Sequence, residues 1–228
     1  MSIEAIPWQD FQKQLRWRQG EHVAAIAPTG AGKTTLMQAL LPYRKYSIFL
    51  GTKPDDPLYR AIQKKGFRRV ESVAEIKPWD DKILLWPKQR KTIADTFTIQ
   101  KRVFRDVFDM VVNQRAWTLW VDECKYMAEQ LGLSRSLTYC LEQLRSINGT
   151  TVNGAQRPVW LPKSVLANSS HVFLWKTTDR DDLKRLADIG GLDAKLVGKE
   201  AQSLGRHEFI YVHTRGTEVK MIRSQVER

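Results

Sequence analysis

Four side chains of this chain could together hold and cleave a polyphosphate: Lys33, Thr34, Asp122 and Glu123. The first two end the loop Ala27-Pro28-Thr29-Gly30-Ala31-Gly32, and Thr35 follows them. Glycines at 30 and 32 let backbone N–H groups close on phosphate oxygens. Lys33 would reach the β- and γ-phosphates as a mobile charge, and the Thr34 hydroxyl would ligate Mg²⁺. The positive end of the next helix adds to the field. The loop departs from G-x-x-x-x-G-K-S/T at one position, where Ala27 replaces the first glycine, so the turn there has to tolerate a methyl group. An apolar run, Val23, Ala24, Ala25 and Ile26, precedes the loop, and Leu36, Met37, Ala39 and Leu40 follow at helical spacing. That order predicts strand, phosphate loop, helix.

Asp122 and Glu123 close the segment Trp117-Thr118-Leu119-Trp120-Val121, which reads as a buried strand. Ligands collect beyond the carboxyl ends of strands in open α/β sheets. Asp122 is therefore expected near Lys33 and Thr34, where it could hold Mg²⁺ through water. Glu123 is the group to orient and deprotonate an attacking water.

A third segment, Thr150-Thr151-Val152-Asn153-Gly154-Ala155, ends in Gln156-Arg157-Pro158. A loop of the form x-P-T-G-A-G-K-T, a strand ending in Asp-Glu and a strand ending in Gln-Arg-Pro, in that order, resemble the HerA/FtsK superfamily of RecA-like P-loop ATPases. That group includes DNA translocases, conjugation pumps and small packaging motors of bacteriophages. The resemblance spans residues 20 to 176 and implies an α/β, RecA-like fold with a mainly parallel sheet covered by helices. It also implies ATP and Mg²⁺ as cofactors, and Gln156 as the polar sensor on a strand between the loop strand and the Asp-Glu strand. Arg145 matches the arginine that members present to a neighbouring subunit's ATP, with Arg157 and Arg135 as competing candidates.

Composition bounds this reading. The chain has 228 residues, enough for one core with an appendage, and no second full-sized domain is expected. The expected organisation is a helical segment over 1–20, an ATPase core over 21–176, and helices with a β-hairpin extension over 177–228. Thirty-seven Lys and Arg against 25 Asp and Glu give a formal charge of +12, which favours a polyanionic partner. Cys124 and Cys140 fall in segments expected to be helical and read as buried thiols. The four histidines, at 22, 171, 207 and 213, show no metal-ligand spacing, so zinc has little support. No apolar stretch approaches the ~20 residues a membrane helix needs. A cytoplasmic protein, in the host cytoplasm if viral, is therefore expected.

Between the motifs, helices are expected over 8–19, 33–41, 58–65 and 98–115, and strands over 46–51 and 82–86. Further strands are expected over 170–176, 208–214 and 218–223, with a helix over 179–189 before the separator Gly190-Gly191. Lys53, after the second strand, is expected to face a central pore. The clusters Lys88-Gln89-Arg90-Lys91 and Lys101, Arg102, Arg105 are further candidates for following DNA phosphates. The expectation is a ring motor of five or six subunits moving double-stranded DNA, with a portal or capsid protein as a further partner. Two other readings stay open. One is an ATP-switched assembly or DNA-mobilisation accessory protein; the other is a small-molecule kinase, disfavoured because Glu123 and Gln156 suit water activation.

Overall fold

The computed structural model describes residues 3–189, 193–215 and 220–227. The described residues form one ten-stranded sheet in the order β1-β10-β9-β8-β2-β7-β6-β3-β5-β4. Its central strands are β2 (His22–Ile26), β7 (Thr150–Ala155), β6 (Thr118–Val121) and β3 (Ser47–Leu50). β8 (Ser169–Trp175) flanks β2, while β5 (Lys82–Leu85) and β4 (Arg68–Val70) lie beyond β3. From β8 to β4 every pairing is parallel. β9 (Glu208–His213) and β10 (Lys220–Gln225) continue the sheet antiparallel, and β1 (Glu4–Ala5) closes that edge.

Helices cover both faces, so the inner strands are buried on both; β3 and β6 are largely apolar, whereas β7 buries Thr150, Thr151 and Asn153. Leu119 and Val121 join one core with Ile48, Leu50, Ile83 and Leu85. Trp120 points to the other, stacking on Phe49 at 6.2 Å and meeting Trp17 edge-on at 6.1 Å. Over the first face lie α4 (Ile93–Asn113), α5 (Ser134–Gln143), α6 (Lys163–Asn168) and α8 (Ala194–Ser203), which contribute Phe104, Phe108, Leu137, Val165 and Val197. Over the second lie α1 (Trp8–Gln14), α2 (Lys33–Leu40) and α3 (Pro57–Lys64). α7 (Arg180–Arg185) stands after β8, with Asp179 capping it.

Three expectations shift. The helix expected over 8–19 stops at Gln14, because the chain after it is held by Arg44. That buried guanidinium donates to the carbonyls of Trp17, Arg18 and Tyr43 and lies 3.7 Å over the Trp17 ring. α4 starts at Ile93 rather than 98, since the Thr92 hydroxyl accepts from Asp95 N and donates to its carboxylate. β4 and β1 have no counterpart in the reading; at three and two residues they are too short to show a period. The C-terminal hairpin extends the sheet as expected. Gly190-Gly191 and residues 216–219 of the hairpin lie outside the described residues.

Candidate functional site

The phosphate loop runs off the carboxyl end of β2. Ala27 N donates to Ala155 O at 3.0 Å, and Ala31 N to Pro28 O at 3.1 Å. Positive φ occurs in the loop at Gly30 (77°) and Gly32 (121°), and Ala27 is not among the positive-φ residues, so its methyl group is compatible with the turn. At Gly32 a side chain is excluded twice. The backbone is left-handed, and a Cβ would lie 2.3 Å from Val226 Cγ2. The C-terminal extension thus packs against the loop, and His207 Nδ1 also meets Ala31 O at 3.1 Å.

β6 lies one strand away from β2, with β7 between them, so Asp122 arrives beside Lys33. Lys33 Nζ is 2.7 Å from Asp122 Oδ1 and donates to its carbonyl at 3.1 Å. Close approach of β7 makes this placement tight: a Cβ on Gly154 would sit 2.6 Å from Asp122 O. Glu123 follows, and Cys124 begins a helical stretch that widens over Tyr126–Gln130 into a π-turn.

Lys53, on the loop after β3, joins this cluster within its own chain. Its Nζ lies 2.9 Å from Asp56, 3.1 Å from Glu123 and 3.7 Å from Asp122. β3 neighbours β6, so the loops beyond their carboxyl ends meet, which explains the placement. Burial disfavours the ammonium charge. The carboxylates of Asp56, Asp122 and Glu123 overcome that and hold its pKa above the ordinary lysine value. The sequence shows the loop at the carboxyl end of the strand, but not the acidic pair that the loop meets.

One cleft is lined by Pro28, Thr29, Gly30, Gly32, Lys33, Thr34 and Thr35 together with Lys53, Asp122, Glu123 and Gln156. Gln156 comes off β7, the strand between β2 and β6. Oxygen donors from Thr34 and Asp122 on one cleft suit Mg²⁺, and the glycine cradle leaves room for phosphate. Both cysteines are free and buried; burial pushes the Cys124 thiol up and Cys140 up to about 12.

The arginines separate. Arg145 is exposed at the amino ends of the strands, beside Gly20 and away from its own chain's cleft. Arg157 is tied to Asp179 at 2.8 Å and Asp182 at 2.9 Å, at the start of α7. Arg135 is exposed on α5. Of the basic clusters, Gln89, Arg90 and Lys91 border a groove that continues the cleft past Gln156. Lys101, Arg102 and Arg105 lie on the exposed face of α4. Among the described residues no helix is long and apolar enough to cross a membrane.

No protein-family profile and no curated protein sequence matches this chain. Solved structures do match its fold. The genome packaging NTPase B204 from Sulfolobus turreted icosahedral virus 2, in complex with AMPPCP, superposes with a TM-score of 0.63 at 13% identity, covering 88% of this chain and 96% of that one. VirB4 of Thermoanaerobacter pseudethanolicus gives 0.64 at 11% identity, over 91% and 89% of the two chains. The pCW3 conjugation coupling protein TcpA, in its monomer form with ATPγS, gives 0.56 at 11% identity over 89% and 59%. At these identities the likeness is one of architecture, and the resemblance carried by the three motifs is borne out at that level. The chain has the α/β P-loop NTPase fold, a mostly parallel sheet between helices with a C-terminal strand pair at its edge.

Proposed function

We propose that this chain is an ATP-hydrolysing motor that assembles as a ring of five or six subunits and moves double-stranded DNA, with viral genome packaging as the process. The observation that supports this most is the meeting of Lys33, Thr34, Asp122, Glu123 and Gln156 on one cleft, in a fold shared with a genome packaging NTPase. The proposed unit is a single domain, with residues 1–20 and 177–228 as additions to the core.

In this mechanism the loop N–H groups and Lys33 bind the triphosphate, so Lys33 exchanges Asp122 for phosphate. Thr34 and Asp122 would hold Mg²⁺, which neutralises charge on the phosphates when bound. Glu123 orients a water and takes its proton, and Gln156 holds that water in line. Lys53 must leave Glu123 for the carboxylate to act as a base. Positive side chains follow DNA phosphates without reading bases, as a motor accepting any sequence requires. The test is ATP hydrolysis with and without duplex DNA, together with the mass in solution with a non-hydrolysable analogue. Stimulation by DNA and an assembly larger than a dimer are expected; a monomer indifferent to DNA would sink the proposal.

One observation favours a second reading, an ATP-switched assembly or DNA-mobilisation accessory protein. The ion pair between Lys53 and Glu123 occupies the carboxylate needed for turnover. Such a switch would hydrolyse slowly and respond to a protein partner rather than to DNA.

A further inference from the structure

At the end of the sheet away from the nucleotide cleft, two histidines meet face to face. His171 on β8 and His213 on β9 are register partners on antiparallel strands, with ring centroids 4.8 Å apart and planes 19° from parallel. Glu21, the residue before β2, lies beside them, its Oε2 3.0 Å from His171 Nε2. One ligand atom from each of the three residues lies within 4.8 Å of the others. The three come from distant parts of the chain, so no spacing in the sequence could announce them.

Two features suit a cation. His171 is buried and its Nδ1 meets the Tyr211 hydroxyl at 2.8 Å. With the proton on Nδ1 donated to Tyr211, the Nε2 lone pair faces the carboxylate, which is how a metal-bound histidine is oriented by an outer partner. His213 Nε2 is buried and has no hydrogen-bond partner among the described residues, an arrangement that costs free energy unless something binds there. Arg18 N fixes the carboxylate, donating to Glu21 Oε2 at 2.8 Å. Arg44, Arg18 and Lys220 lie near enough to act electrostatically on the two rings and oppose a cation. Arg44 donates to three backbone carbonyls, whose dipoles screen part of its field.

We propose that Glu21, His171 and His213 form a site for a divalent transition-metal ion of the Zn²⁺ class, remote from the nucleotide, with Tyr211 as the outer partner of His171. Two imidazoles and a carboxylate are a borderline donor set that prefers Zn²⁺ to Mg²⁺ and leaves a fourth position for water. The ion would join the start of β2 to β8 and β9. It would thereby fasten the C-terminal extension whose far end packs on the phosphate loop at Gly32 and Ala31.

The test is a Zn²⁺ titration of the chelator-stripped full chain against a chromophoric chelator in excess Mg²⁺, paired with thermal melts with and without Zn²⁺. One equivalent per chain is expected, with a higher Tm. His213→Ala and Glu21→Gln should each weaken uptake at least about tenfold and abolish the Tm rise. Tyr211→Phe should weaken uptake by about 10- to 100-fold, as for other outer-shell partners. Retained nucleotide binding in these variants would show that they fold. Absence of Zn²⁺ uptake by the parent chain, or uptake unchanged in both His213→Ala and Glu21→Gln, would overturn the proposal.

Discussion

Lys33 has two partners that exclude one another. In the structure its ammonium lies 2.7 Å from Asp122, and a triphosphate in the cleft would claim the same charge. Lys33→Ala removes a charge-assisted contact worth about 1.5–3 kcal/mol, so nucleotide affinity should fall by about 10- to 150-fold in a fluorescent-nucleotide titration. Glu123→Gln keeps the shape and the hydrogen-bonding capacity but removes the base. Nucleotide should still bind, while turnover drops by about 10²- to 10⁴-fold. A large loss of affinity with full turnover in the bound fraction would reverse these assignments. Lys53 makes a different case, because its contacts with Glu123 and Asp56 hold the base in an ion pair. Lys53→Ala should raise DNA-free turnover several-fold and shrink the stimulated-to-basal ratio. A fall in basal ATPase activity would instead mean that Lys53 serves the phosphates directly.

Strands set these distances, and β7 sets the tightest of them. Gly154 lies between Asp122 O and Met37 Cε, where an added Cβ would approach to 2.6 and 2.8 Å. Gly154→Ala should therefore cost about 1–3 kcal/mol in a denaturant melt and also weaken nucleotide binding, because the displaced group carries Asp122. A stable variant with normal affinity would show that β6 and β7 can separate without moving the acid. The same elements show what a sequence discloses. Trp117 to Glu123 and Val23 to Thr35 were legible because a buried strand ending in a charged or glycine-rich turn leaves a local pattern. Register between strands does not, so neither the approach of Gly154 to Asp122 nor the meeting of His171 with His213 could be read from one chain's order. Lys53 shows the same limit: its loop was legible, but its neighbours Asp122 and Glu123 across the sheet were not. The five-residue error at the start of α4 had a local signal, Thr92 with Asp95 three residues on, masked by the basic cluster before it.

At the scale of the whole molecule, the two ends of the sheet divide the work. The groups proposed to bind nucleotide gather beyond the carboxyl ends of β2, β6 and β7, whereas Arg145 stands at their amino ends beside Gly20. Arg145 therefore serves no phosphate in its own cleft, and any role in hydrolysis requires a second copy to bring its cleft alongside. Arg157 is a poorer donor, being held by Asp179 and Asp182. On this argument Arg145→Ala chains alone should be inactive, since every cleft lacks its visitor, and Glu123→Gln chains alone should be inactive for want of a base. Mixed together, a Glu123→Gln chain still offers Arg145 to the intact cleft of an Arg145→Ala neighbour. ATPase activity should reappear and peak at intermediate mixing ratios. If no ratio restores it although the two variants co-assemble, Arg145 has no part in a neighbour's cleft, and Arg135 and Arg157 become the residues to test.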